Sequence, residues 1–125
     1  MPAIKDMPAR IVAAFETMEL ILSNHDIHNV DEFTDEEMKT AEYKLHLELK
    51  RLTEKCAVCD AENKLFDSLE EEATPLKLKA AYLFYRDLDA LKDEVLDSYG
   101  FSRREVLDGL WDCENLFMKN EDSVG

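Results

Sequence analysis

Glycine is nearly missing from this chain, with three in 125 residues and none before Gly100. Gly-rich loops that cradle phosphate groups are thereby excluded. No stretch alternates apolar and polar residues for long enough to make a convincing strand. No uninterrupted apolar run reaches membrane-spanning length. The apolar stretch from Ile11 to Leu22 is broken by Glu16 and Glu19 and is not followed by a small-residue cleavage site, and Met1-Pro2-Ala3-Ile4-Lys5-Asp6 does not read as a signal peptide. Three cysteines make an odd number without a secretory context, so reduced thiols in the cytoplasm are expected. Basic residues are also scarce: 15 Lys and Arg stand against 29 Asp and Glu, a formal charge of −14. That balance argues against direct contact with nucleic acid or an anionic membrane, and it permits a basic protein partner.

What is present is helix. Nearly half the residues are hydrophobic, enough for a real core in one domain spanning 1–125, with frayed ends expected at 1–7 and 120–125. Pro8 suits the start of a first helix, whose stripe is Ile11, Phe15, Met18 and Leu22, widened by Val12 and Leu20. Two six-residue segments, Phe33-Thr34-Asp35-Glu36-Glu37-Met38 and Phe101-Ser102-Arg103-Arg104-Glu105-Val106, carry a hydroxyl cap, a Glu three residues later and a flanking apolar pair. Each spells a helix start, with Phe33 against Met38 and Phe101 against Val106.

After Thr34 the seam Leu45, Leu49, Leu52, Cys56, Cys59 and Phe66, with Asn63 in one slot, keeps heptad spacing. It predicts one helix of about 30 residues, roughly 45 Å long. Glu70, Glu71 and Glu72 sit badly in a last helical turn. The helix is therefore expected to end near Phe66, with a short extra turn capped by Ser68 and Glu71 before Thr74. Thr74-Pro75 opens the next helix, whose stripe is Leu78, Ala81, Tyr85, Leu88, Leu91, Val95 and Tyr99, and Gly100 ends it. The last helix buries Val106, Leu110, Cys113 and Phe117, with Leu107 and Trp111 alongside. The expected fold is all-α, an antiparallel bundle of four main helices.

Candidate sites are weak. Cys56-Ala57-Val58-Cys59 has zinc or redox spacing, but His46, Cys113, His25 and His28 are poor further ligands, and seam positions favour buried, metal-free thiols. His25 and His28 read as exposed hydrogen-bonding groups in a loop. His46 lacks the Lys and Gly that follow a phosphotransfer histidine. The chain contains no Glu-x-x-His, which excludes a ferritin-like centre. Glu16 with Glu19, and Glu32 with Asp35 or Glu94 with Asp97, match the carboxylate spacing of helical nucleotide hydrolases only as any acid-rich chain would. Leu96 to Asp108 has a helix-turn-helix outline, yet its second helix mixes Arg103 and Arg104 with four acids. No nucleophile constellation is evident.

No catalytic, cofactor-binding or metal-ligating residue is assigned, and no cofactor is expected. The reading is a small acidic helical module for protein–protein interaction. Two alternatives stand beside it: an acidic decoy for a basic nucleic-acid-binding protein, and a carboxylate and magnesium hydrolase. Asp35 to Glu72 holds twelve acids but six basic residues, and this interspersion opposes a phosphate-like track. Apolar surface left open along a 30-residue helix would favour a homodimer near Trp111 and Phe117.

Overall fold

A computed structural model describes residues 7–124, with side chains described through Lys119. Among these residues there are six α-helices and no strand. They are α1 (Met7–Asn24), α2 (Ala41–Glu54), α3 (Val58–Glu71), α4 (Pro75–Asp89), α5 (Asp93–Ser98) and α6 (Arg103–Val124), with a 3-10 turn at Glu37–Lys39. The all-helical expectation holds. The fraying expected at residues 1–6 and 125 lies outside the described residues, Met7 already belongs to α1, and the α6 backbone stays helical to Val124.

Helix α4 organises the core. It packs against α1, α2, α3 and α6, and every residue from Leu78 to Tyr85 is buried. A helix covered on all sides reads as apolar all round rather than as a stripe, which is the character of Ala80-Ala81-Tyr82-Leu83-Phe84-Tyr85. Helix α1 contributes Ile11, Ala14, Met18 and Leu22, and α6 contributes Val106, Leu107, Leu110, Cys113 and Phe117. Val12 and Leu20, expected to widen the α1 stripe, are instead 56% and 63% exposed. Trp111 is exposed as well.

Three helices stop by one hydrogen-bond pattern, the Schellman cap, in which two successive N–H groups reach back around a left-handed residue. At Gly100 (φ 72°) the bonds are Gly100 N to Asp97 O and Phe101 N to Leu96 O, both 3.0 Å. At Asp26 (φ 64°) they are Asp26 N to Ser23 O and Ile27 N to Leu22 O. At Cys56 (φ 63°) they are Cys56 N to Thr53 O and Ala57 N to Leu52 O. The first two stops were expected. The third overturns the 30-residue helix.

The stop at Cys56 divides the expected seam. Leu49 is buried and Leu45, Leu52 and Phe66 are partly buried, but Cys56 and Cys59 are exposed. Beyond the corner a new stripe takes over, made of Val58, Ala61, Leu65 and Leu69. The helix does not end near Phe66, and Ser68 caps no extra turn, because α3 runs on to Glu71. What permits the acidic last turn is Lys77, whose Nζ donates to Ser68 O at 2.8 Å and Glu72 O at 2.7 Å. A cation on the last carbonyls offsets carboxylates at the negative helix end. With each of the two helices only 14 residues long, the premise for the homodimer disappears, and Phe117 is buried inside the subunit.

The helix after Thr74 begins as expected, with Thr74 Oγ1 accepting from Lys77 N at 3.2 Å and Pro75 in the first turn. It does not continue to Gly100. It ends at Asp89, and α5 restarts at Asp93. Arg103 fastens this interruption, donating to Asp89 O at 2.7 Å and to Leu91 O while pairing with Asp89 and Asp93. At the start of α6, Ser102 Oγ accepts from Glu105 N at 3.3 Å, with Phe101 and Val106 both buried.

Gly109 sets the spacing of α4 and α6. A Cβ built there would land on the hydroxyl and ring carbons of Tyr85, which is itself fully buried and hydrogen-bonded. Alanine would raise helix propensity by about 1 kcal/mol, but overpacking typically costs about 1–3 kcal/mol. Gly109→Ala is therefore expected to lower unfolding free energy in chemical denaturation. An unchanged or higher stability would show that the Tyr85 contact yields freely.

Candidate functional site

Two polar clusters are built into the core. The first holds the connection between α1 and α2. Thr34 and Glu37 form the expected reciprocal cap: Thr34 N donates to Glu37 Oε1 at 3.0 Å, and Glu37 N donates to Thr34 Oγ1 at 3.3 Å. The box starts only the 3-10 turn, however. Thr40 caps α2, accepting from Tyr43 N at 3.3 Å. Met38 is exposed, and Phe33 turns instead to the rings of Tyr43 and His46, with centroids at 5.4 and 4.8 Å.

Lys79 meets this cap from α4. Its side chain is fully buried, its Nζ donates to Glu37 Oε1 at 2.6 Å, and it lies 5.0 Å from the centre of the Phe33 ring. Burial by itself would push the Glu37 carboxyl up, but the hydrogen bonds from Lys79 and Thr34 and the Lys79 charge outweigh it and hold Glu37 below the usual carboxylate range. Burial, reinforced by Lys50, holds the neighbouring His46 imidazole below its usual value, against an opposing pull from Asp87. Arg86 ties down the same connection higher up, donating to Asp31 Oδ1 at 3.1 Å and Asp31 O at 3.0 Å.

The second cluster joins α3, α4 and α6. The Tyr85 hydroxyl donates to Glu62 Oε2 at 2.5 Å. Burial, together with the charges of Glu62, Asp112 and Glu114, pushes the fully buried Cys113 thiol well up, against a hydrogen bond from Tyr85. Burial also raises Glu62. Glu114 is buried, its Oε2 has no hydrogen-bond partner, and burial pushes its pKa up to about 7.

On the surface, α3 and α6 leave an open groove of about 670 Å³. Partly buried Phe66 and Leu116 supply its apolar part, and Asp67, Glu70 and Asp112 supply carboxylates, with Lys119 the one basic side chain lining it among the described residues.

The residues weighed in the sequence do not converge. Glu16 is exposed on α1, while Glu19 accepts from the Tyr82 hydroxyl at 2.9 Å. Glu32 and Asp35 lie exposed before α2, and Glu94 and Asp97 lie exposed on α5. Among the described residues no three His, Cys, Asp or Glu side chains are grouped as metal ligands. His28 Nδ1 lies 3.2 Å from Ser23 Oγ, and the His25 ring meets the edge of Phe117 at 5.2 Å. Both arginines of the helix-turn-helix outline are engaged, Arg103 at the α4–α5 interruption and Arg104 with Asp108 at 3.1 Å. Lys79 and the groove were missed. The usable signal was a single lysine inside an otherwise apolar run, Ala80 to Tyr85 following Leu78, which can point nowhere but inward.

Over residues 4–118 the chain matches the model of a family described as a family of unknown function, DUF6483, and it belongs to that family. No curated protein and no solved structure matches it.

The two ends of the Lys79–Glu37 pair are not equivalent. Glu37→Gln leaves a fully buried ammonium without its counter-ion, and breaking such a pair costs about 3–5 kcal/mol. Lys79→Met leaves a carboxylate that has some solvent contact. Glu37→Gln is expected to destabilise more than Lys79→Met in urea titration at pH 7, and the reverse order would contradict the assignment. Since the Glu37 pKa is depressed in the fold, its contribution is complete above the ordinary carboxylate value and lost as pH falls through the folded one.

Glu114 works in the opposite sense. Its folded pKa is raised, so it favours the fold when protonated and costs stability as pH rises towards about 7. Glu114→Gln should exceed the wild type in stability at pH 8 by about 3 kcal/mol, and the difference should shrink through the window from pH 7 downward and vanish only below the ordinary carboxylate value. Parallel stability curves across that range would show that Glu114 stays ionised in the fold.

Proposed function

We propose that this member of the DUF6483 family is a cytoplasmic protein-interaction module whose α3–α6 groove takes a basic amphipathic helix of a partner protein. The observation that carries this reading is the groove itself, with Phe66 and Leu116 between Asp67, Glu70 and Asp112. A helix laid into such a groove buries apolar anchors spaced three and four residues apart and sets Lys or Arg against the rim. The charge of −14 steers a basic partner from a distance. Interspersed lysines and paired acids, such as Glu36 with Lys39 and Asp31 with Arg86, support this localised reading over a continuous nucleic-acid decoy.

The test uses two synthetic helical peptides with the same Leu face, one with Lys and one with Glu on the flanks. Titrated into the isotope-labelled full chain, the Lys peptide should shift the amides of Asn63, Phe66, Asp67 and Leu116, and the Glu peptide should not. Charge reversal by Asp67→Lys with Glu70→Lys should weaken the Lys peptide by about tenfold or more, equivalent to 1.4 kcal/mol. Shifts spread evenly over all acidic surfaces, or none in the groove, would overturn the proposal.

A further inference from the structure

His46 is the side chain of the Phe33 cluster whose ordinary titration lies near neutral pH. It is partly buried on α2, and its ring packs against Phe33 at 4.8 Å and Tyr43 at 5.9 Å between centroids. Phe33 is only 3% exposed and seats the α1–α2 connection in the core, 5.0 Å from the Lys79 ammonium. Beside His46 lies a cavity of about 10 Å³, lined also by Leu49, Lys50, Thr53, Phe84 and Asp87. That is room for a single water at most, so the packed ring lacks the hydration a charged imidazole has in bulk solvent. The charges that face the ring do not replace it. Helix α2 itself supplies the Tyr43 phenol and Lys50, and α4 supplies Lys79 and Asp87. Lys50 and Asp87 are both exposed and oppose each other, with Lys50 the stronger, and Lys79 adds its repulsion. Glu37 comes from the 3-10 turn, but its Oε1 is taken by Lys79 at 2.6 Å.

We propose that His46 is an acid-sensitive latch on the α1–α2 connection: its neutral ring holds Phe33 in the core, and its protonation favours release of Phe33 and the segment from Thr34 to Thr40. Burial and the neighbouring lysines hold the folded imidazole below its usual value. Opening the cluster restores that value, so the open form takes up a proton first and gains population as pH falls below about 6.5. The Glu37 contribution is complete in this window, because a depressed carboxylate loses it only below the ordinary carboxylate range. Glu114 titrates in the same window with the opposite sign, favouring the whole fold as it protonates.

The experiment follows the isotope-labelled full chain by NMR from pH 7.5 to pH 5.5. It reads the titration of the His46 ring and the native-state exchange of backbone amides, corrected for the intrinsic pH dependence of exchange. The ring should titrate below the usual histidine value. Protection at Thr34, Glu37 and Thr40 should fall by about threefold or more relative to Leu65 and Leu69 across the range. His46→Gln should abolish that relative change, whatever it does to global stability, and Lys50→Gln should raise the midpoint of the His46 ring. A wild-type ring that titrates at or above the usual value would show that Asp87 accepts the imidazolium within the closed fold, and would overturn the proposal. So would unchanged relative protection in the wild type, or a pH dependence retained in His46→Gln, which would move its origin to His25 or His28.

Discussion

A helix surrounded on all sides has no face on which to leave a charge. The middle of helix α4, from Leu78 to Tyr85, is in that position, and it carries Lys79 with its side chain wholly buried. An isolated buried ammonium is prohibitively costly, so the fold must deliver a carboxylate to it. Glu37 arrives from 42 residues away, already oriented by its reciprocal bonds to Thr34. The connection between α1 and α2 is thereby fixed to the centre of the molecule, and Phe33, Tyr43 and His46 close over the pair as a cluster of rings. Thr74 extends the same tie, capping α4 while donating to Glu42 of α2 at 2.8 Å.

The parts of this fold that were legible in the sequence are those governed by bonds between near neighbours. Thr34 with Glu37, Ser102 with Glu105, Thr74 before Pro75 and the left-handed Gly100 each work within a few residues. The interruptions were not legible because distant groups fix them. Arg103 holds the carbonyls that end α4, and Lys77 accommodates three glutamates at the end of α3. The corner at Cys56 was concealed by a residue type that rarely takes φ near 63° and by a heptad spacing that runs through it. Of the groove, Asn63 and Phe66 had been placed on a seam, because the direction a side chain takes depends on where its helix starts.

The polar interior and the acidic exterior divide the work. Inside, Glu37 is drawn into an ion pair, whereas Glu62 and Glu114 are desolvated and raised. Outside, carboxylates remain in excess and flank the apolar strip between α3 and α6.

The central claim is that Lys79 fixes the α1–α2 connection through Glu37. Amide hydrogen exchange tests it directly by comparing the wild type with Lys79→Met under native conditions. The account predicts that the amides of Thr34, Glu37, Met38 and Thr40 lose protection together, while those of Leu65, Leu69 and Leu110 change only by the difference in global stability. Uniform loss across all of these amides, or unchanged protection at Thr34 and Glu37, would contradict it.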